Sequence, residues 1–192
     1  MQSPIPERIP LVDNAADEVR LRGTFNATSD DMTRGRLLSE VRRVLRPGGR
    51  IFVHVLVGES PVLMPGLAGP AAAVQTVPQE REPMEALERA GFVGLRLLTF
   101  DAKPCFVRDG VAMREMQLEG FVPTEGSGDQ VDVLYRGPLR QVQDDDGRCY
   151  PRGTRVSVPP AVASWLRSSH LGDHFTYFDR REERPADRSC SV

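Results

Sequence analysis

The stretch SEVRRVLRPGGRIFVHVLV, residues 39–57, most constrains what this chain can fold into. A segment with helical character stops at Pro47, and an apolar run of strand length follows at once. Proline cannot continue a helix, and Gly48 and Gly49 allow the positive φ values of a sharp turn. RIFVHVLV is almost continuously apolar and rich in β-branched residues, which is typical of a strand covered on both faces of a parallel sheet. The corner therefore predicts a helix that passes directly into a central strand.

The flanking segments extend this pattern. ADEVRLRGTF, residues 16–25, predicts a short strand that ends at Gly23. The candidate N-caps of the next helix are Ser29, Asp30, Asp31 and Thr33. Apolar residues then recur at helical spacing. They are Leu37, Leu38, Val41, Val44 and Leu45. After the corner, PMEALERAGF predicts a helix, VGLRLLTF a strand and GVAMREMQLEGF a partner strand. Residues 58–80, rich in Gly, Pro and Ala and without a period, predict a mobile loop or lid.

A linker, PTEGSGD, separates two regions of different character. Residues 1–122 have the order of a partial doubly wound, Rossmann-like α/β domain. Residues 129–179 combine short strands with one helix and predict a small β-rich α+β domain. The tail, residues 180–192, is highly charged and is predicted to be disordered.

Charge and composition narrow the classes of partner. The 192 residues carry a formal net charge of −2, which provides no field for attracting nucleic acid or an anionic membrane. The sequence has no apolar stretch of transmembrane length and no secretory pattern, so a cytoplasmic protein is expected. Cys105, Cys149 and Cys190 are far apart and lack CxxC spacing, which favours reduced thiols over a disulfide framework.

Three polar groupings have a functional and a structural interpretation. Cys149, His170 and His174 suggest zinc ligands, but surface or packing roles are favoured, and no metal site is predicted. The acidic run at residues 144–146 beside a glycine is better explained by a turn than by a cation site. His54, expected to be buried in the strand after the corner, is a conceivable general base, but a hydrogen-bonded core or rim histidine is favoured.

The order of these motifs resembles a known family. IPLVDNAADEV followed by LLSEVRRVLRPGGRIFVHV resembles the class I S-adenosylmethionine-dependent methyltransferases, in which Pro-x-x-Asp precedes the fourth strand and Leu-x-Pro-Gly-Gly leads into the fifth. GFVGLRLLTF, CFVRDGVAMREMQLEGF, VDVLYRGP and VASWLRSSHLGDHFTYF resemble, in order and spacing, the C-terminal part of arsenite methyltransferases. The resemblance covers nearly the whole chain.

This resemblance implies S-adenosylmethionine as cofactor and a position for its site. Gly23, Thr24, Phe25 and Asn26 follow the first strand and would face the cofactor cleft, whereas no catalytic residue is assigned. The family's glycine-rich loop and its ribose-binding acidic residue are not found, so the chain resembles a truncated member that lacks the N-terminal cofactor-binding half. The cysteines that hold arsenic would fall at Gly23-Thr24 and Val93, so arsenite methylation is not expected.

Two functions remain open from the sequence. The first is a methyltransferase-like enzyme that acts on a small molecule entering beneath residues 58–80, with a partner half-chain that supplies the glycine-rich part. The second is a catalytically inactive binding or structural protein that closes its open sheet edge by forming a homodimer.

Overall fold

The computed structural model describes residues 8–124 and 128–178, and the chain divides into two compact units, Met1–Pro123 and Thr124–Val192. The charged tail at residues 180–192 lies outside the described residues. Each unit encloses its own cluster of buried hydrophobic side chains. None of the helices in the described part combines the length and apolar character that crossing a bilayer requires.

The described residues of the first unit form a mixed α/β structure. In chain order its elements are β1 (Ala16–Arg22), α1 (Asp31–Val44), β2 (Leu45–Gly58), β3 (Val62–Leu63), β4 (Thr76–Val77), α2 (Glu82–Arg89), β5 (Val93–Phe100), β6 (Phe106–Arg108) and β7 (Val111–Phe121). The main sheet has the order β1-β2-β7-β5. β5 pairs with β7 from Met116 to Phe121, and β6 pairs with the beginning of β7, from Val111 to Met113. β1 is parallel to β2, whereas β7 runs antiparallel to β2, β5 and β6. The α/β class predicted from the sequence is confirmed, with a mixed sheet.

Helix α1 begins where a polar side chain satisfies its first turn. The Asp30 carboxylate accepts a hydrogen bond from the Thr33 backbone N–H at 2.7 Å, which makes Asp30 the N-cap among the predicted candidates. Leu37, Leu38 and Val41 are buried, because their spacing places them on one face of the helix.

The Pro-Gly-Gly corner is built into the start of β2. Ala16 pairs with Leu45 and Glu18 with Arg50, so residues 46–49 bulge out of the ladder. Gly48 has a φ of 76°, in the left-handed region, and its N–H donates to the Val122 carbonyl at 2.9 Å. The predicted turn is confirmed, but it lies within the strand rather than before it.

Only one face of the sheet is covered by the two helices. Alternate β2 residues, including Val53 and Val55, form a single core with Leu38 of α1, Leu87 of α2 and Leu118 of β7. The side chains between them, at residues 52, 54 and 56, point to the opposite face and are partly exposed. The expectation that β2 is covered on both faces is therefore not met among the described residues.

The segment predicted to be an irregular loop contains a small hairpin. β3 and β4 pair in antiparallel register, with Val62 opposite Val77, and a 3-10 turn at Gly69–Ala73 lies between them. The Gly58 N–H donates to the Pro78 carbonyl at 3.0 Å, which ties the end of β2 to the end of the hairpin. The expectation of a loop without strands is therefore wrong at Val62–Leu63 and Thr76–Val77, because strands of only two residues leave no periodic pattern in the sequence.

The second unit is β-rich around one helix. Its described elements are β8 (Val131–Tyr135), β9 (Gln141–Gln143), β10 (Cys149–Pro151), β11 (Arg155–Val158), α3 (Pro160–Ser168) and β12 (Phe175–Phe178). β8 lies between β11 and β12 in an antiparallel sheet, and β9 and β10 form a hairpin. The predicted turn at the acidic run is confirmed, since the Gly147 N–H donates to the Asp144 carbonyl at 3.0 Å.

Candidate functional site at the carboxyl ends of β1 and β2

The parallel pair β1 and β2 brings two chain turns to one edge of the sheet. β1 ends at Gly23, whose φ of 68° is left-handed, and the Gly23 N–H donates to the His54 carbonyl at 2.8 Å. A 3-10 turn at Thr24–Asn26 follows. In open α/β sheets, ligands bind outside the carboxyl ends of the parallel strands. This edge is therefore where a binding site is expected.

Asn26 is the most extensively bonded side chain at this edge. It is only 3% exposed, and its amide nitrogen donates to the carbonyls of Leu56 at 2.7 Å and Thr76 at 2.9 Å. Its side-chain oxygen accepts from the Leu56 N–H at 2.9 Å. Because it joins the turn after β1 to β2 and β4, Asn26 fixes the position of the turn.

The hairpin is held against the same turn by further bonds. The Gln75 N–H donates to the Asn26 carbonyl at 2.9 Å, and the Gln75 side-chain oxygen accepts from both the N–H and the hydroxyl of Thr28. The single hydroxyl proton of Thr76 is shared between the carbonyls of Ala27 at 3.2 Å and Phe25 at 3.4 Å. The turn and the hairpin therefore form one hydrogen-bonded structure.

The four residues predicted to face a cofactor divide into two pairs. Phe25 is 1% exposed, and the Arg34 guanidinium lies 5.3 Å from its ring centre. Phe25 and Asn26 thus direct their side chains into the protein, whereas Gly23 and Thr24 are partly exposed. A Cβ added at Gly23 would meet nothing within 4 Å, so space is open above this residue. A ligand at this edge would contact Gly23 and Thr24 first.

These residues fit only part of a nucleotide cofactor. An open glycine turn permits close approach of a ligand to the backbone. A glycine-rich phosphate-type loop and an acidic partner for ribose hydroxyls are not present at this edge in residues 8–124. We therefore derive no catalytic step from these side chains alone.

A shallow cavity of about 350 Å³ lies on the hairpin side of this region. It is lined by Met64, Gly66 and residues 72–75. Arg108 of β6 supports its rim, because its guanidinium donates to the carbonyls of Pro65 and Gly66 at 3.0 and 2.9 Å. The cavity shares Gln75 with the bonds that hold the turn after β1.

The helix-free face of the sheet carries a charged network that crosses four strands. Glu18 of β1 pairs with Arg20 and Arg50, and Glu119 of β7 pairs with Arg50 at 3.2 Å and with Arg96 of β5 at 2.6 Å. The Glu119 side chain is 7% exposed, so both arginines serve to balance a buried charge. Hydrogen bonds from Arg20 and Arg50 hold the pKa of Glu18 below its ordinary value.

His54 belongs to this face and not to the core. Its side chain is 42% exposed, and its Nε2 lies 3.0 Å from the Glu115 carboxylate on the neighbouring strand. The expectation that His54 is buried is wrong, because the pleat of β2 directs residue 54 away from the helices. A rim histidine with a carboxylate partner matches the structural interpretation favoured from the sequence.

The remaining candidate ligands do not converge. Cys149 is an exposed free thiol, His170 is exposed, and His174 Nδ1 lies 3.0 Å from the Gly137 carbonyl. Within the described ranges, no group of three or more His, Cys, Asp or Glu residues is placed to hold a metal ion.

Sequence reasoning located the edge but missed the residues that organise it. Thr28 lies 47 residues from Gln75, and Thr76 lies 51 residues from Phe25, so nothing in their local pattern marks them as partners. The one available signal was an asparagine three residues after a strand-ending glycine, a residue type whose side chain commonly bonds to backbone groups.

A family model described as a domain of unknown function, DUF8838, matches residues 125–191. No curated protein matches the chain. The solved structures that it resembles include CrArsM, an arsenic(III) S-adenosylmethionine methyltransferase from Chlamydomonas reinhardtii. The identity is 22% over 90% of this chain and 62% of that chain, with a TM-score of 0.44.

Two further structures show the same kind of similarity. A SAM-dependent methyltransferase from Methanosarcina mazei is 15% identical over 62% of this chain and 65% of that chain, with a TM-score of 0.43. The 1,6-didemethyltoxoflavin-N1-methyltransferase of Burkholderia thailandensis, solved with S-adenosylhomocysteine, is 19% identical over 64% and 49%, with a TM-score of 0.43. The chain spans less than two thirds of the length of each of these three structures.

Proposed function

We propose that this chain is part of an S-adenosylmethionine-dependent methyltransferase-like protein that acts on a small molecule in the cytoplasm. The observation that carries the proposal is the β1-α1-β2 unit, whose parallel strands present the open turn at Gly23 and Thr24 at their carboxyl ends. The Leu-x-Pro-Gly-Gly resemblance at the entrance to β2 supports the same assignment. Substrate would enter on the side of the β3-β4 hairpin, where the cavity lies.

The cofactor site of this protein is completed by a partner chain that supplies a glycine-rich half. Two features support this part of the proposal. Among the described residues, β1 has β2 as its single neighbour and leaves one edge open, and an open edge is a template for another strand. The turn after β1 offers part of a nucleotide site, and a glycine-rich loop on an adjacent strand would provide the rest.

Calorimetric titration with S-adenosylmethionine tests this proposal. The chain alone should give no binding heat, and a saturable heat should develop once a polypeptide carrying a glycine-rich methyltransferase half is added. Thr24→Arg should weaken that binding, because it adds bulk and a positive charge at the open turn against a cofactor whose net charge is positive, whereas Thr154→Arg, in an exposed turn of the second unit, should leave it unchanged. Absence of binding under both conditions would remove the enzyme proposal, and binding by the chain alone would remove the need for a partner.

The second candidate function is a binding or structural protein without catalysis that associates with itself. Its specific support is twofold. Phe25 and Asn26 contact other parts of the protein rather than a ligand, and the charged side chains on the helix-free face form ion pairs with one another. Self-association would close the edge of β1 that is open among the described residues. Sedimentation from micromolar to submillimolar concentration should then show a dimer, and a monomer throughout would contradict this candidate.

A further inference from the structure

We propose that β1 pairs with β1 of a second copy, antiparallel and centred on Val19, to form a twofold-symmetric homodimer with a continuous sheet. This inference rests on the second function proposed above and adds the contact surface and its register. Three properties of β1 support it, namely its open backbone groups, its charge order and its apolar centre.

The backbone of β1 has a defined outward side. The Gly23 N–H points to β2, where it meets the His54 carbonyl. The directions of the backbone N–H and C=O groups alternate along a strand. Those of the odd-numbered residues of β1 therefore point to β2, and those of residues 18, 20 and 22 point to the open edge. In an antiparallel pair centred on Val19, residues 18 and 20 of opposite copies would exchange both backbone hydrogen bonds.

The charge order of β1 selects one register. Two residues that oppose each other across the pair must lie on the same face of the sheet. Because alternate residues share a face, both must be even-numbered or both odd-numbered in this strand. The register centred on Val19 places each Glu18 opposite an Arg20 of the other copy. A shift by one residue in either direction would place Glu18 opposite Glu18 or Arg20 opposite Arg20, and opposed like charges are unfavourable. A centre at Arg20 would also place Glu18 opposite Arg22, so the register centred on Val19 is distinguished by having attractive pairs and no opposed like charges.

The surroundings of Glu18, Arg20 and Val19 are compatible with this pairing. Arg20 is 52% exposed and lies 5.6 Å from the centre of the Phe52 ring, while Glu18 also pairs with Arg50 of its own copy. Glu18 therefore keeps a cation within its own chain when the Arg20 of the second copy approaches. On the other face, Val19 packs against the core of the first unit and would lie beside its symmetry mate.

Disulfide trapping tests the register directly. In a chain whose three cysteines are replaced by serine, Val19→Cys should form a disulfide-linked dimer rapidly under mild oxidation, because opposed residues at a centre without mutual hydrogen bonds lie closest. Arg22→Cys, an exposed thiol on the same strand, is the matched control and should not crosslink, since its nearest opposite residue is Ala16. Crosslinking of Glu18→Cys or Arg20→Cys faster than Val19→Cys would overturn the register.

Charge reversal provides a second readout that needs no thiol. Arg20→Glu should raise the dimer dissociation constant by about tenfold, because two attractive pairs become repulsive. Arg22→Glu makes the same charge change opposite alanine and should change the constant less than about twofold.

The outcomes separate this inference from the function on which it rests. If the unaltered chain dimerises but Val19→Cys does not crosslink and both charge variants behave alike, the β1 contact is wrong while self-association stands. If the unaltered chain remains a monomer, self-association and the β1 contact both fail.

Discussion

Replacing Asn26 by alanine removes the side chain that joins the turn after β1 to β2 and β4. Three hydrogen bonds of 2.7 to 2.9 Å are lost, and the backbone groups of Leu56 and Thr76 lose their partner in a buried setting. At about 1 kcal/mol for each net hydrogen bond, and more where a buried group stays unsatisfied, the free energy of unfolding should fall by about 3 kcal/mol. This is a large fraction of the stability of a small domain.

Urea denaturation should be followed in parallel by two probes. Far-UV circular dichroism reports both units, whereas fluorescence of Trp165, the single tryptophan, reports the second unit in which it lies. Hydrogen exchange measured by mass spectrometry should show faster exchange in peptides that contain Leu56 and Thr76. Gln75→Ala, whose bonds to Thr28 lie at an exposed position, should cost about 1 kcal/mol and provides a graded control.

Asn26→Asp adds a pH-dependent comparison. The carboxylate can accept from the Leu56 N–H but cannot donate to the two carbonyls, so this variant should be at least as unstable as Asn26→Ala at neutral pH. It should recover part of its stability in acid, when the protonated group can donate. A loss below about 0.5 kcal/mol for Asn26→Ala, or unchanged exchange at Leu56 and Thr76, would refute the role given to this residue.

Three further predictions concern the corner and two titrating groups. Gly49→Ala should lower the free energy of unfolding by about 2 kcal/mol in thermal melts, since the new Cβ would lie 2.8 Å from the Arg46 carbonyl oxygen. Gly35→Ala, in α1 with open space around it, should raise that free energy by up to about 1 kcal/mol, and equal effects would contradict the geometry of the corner. Burial raises the pKa of Tyr150 to about 12, so the stabilisation present below its unfolded value should be lost as pH rises from about 10 to about 12. Tyr150→Phe should flatten that loss in the Trp165 signal. Arg20 and Arg50 lower the pKa of Glu18 from 4.5, so its contribution is present above that value and is lost as pH falls below it. Glu18→Gln should reduce this acid dependence, and identical acid curves would contradict the pairing.

The sequence predicts those helices, strands and turns whose formation depends on residues that are close together in the chain. The α1 face, the glycine corner and the strands β1, β2, β5 and β7 follow from periodicity, capping and turn chemistry within short windows. The β3-β4 hairpin has no such signal, because it is held by bonds to Thr28 and Asn26, which lie 47 to 50 residues away along the chain.

The environment of the β2 face that carries Phe52, His54 and Leu56 could not be predicted from local sequence either. In the sequence the strand is nearly uniform in its apolar character, and only the pairing with β1 and β7 reveals which residues meet charged neighbours. Glu18, Arg50 and Glu119 come from three separate strands, and their ion pairs depend on a register that a single sequence does not specify. The candidate site was located by the rule for parallel strand ends, whereas the internal roles of Phe25 and Asn26 required the tertiary structure.

Amide chemical shifts of the ¹⁵N-labelled chain provide the most direct test of the methyltransferase assignment. S-adenosylhomocysteine, added together with a polypeptide carrying a glycine-rich methyltransferase half, should shift the resonances of Gly23 and Thr24 in a saturable manner and leave those of β11 and β12 in place. Unchanged resonances at Gly23 and Thr24 at saturating ligand would contradict a cofactor site at the carboxyl ends of β1 and β2.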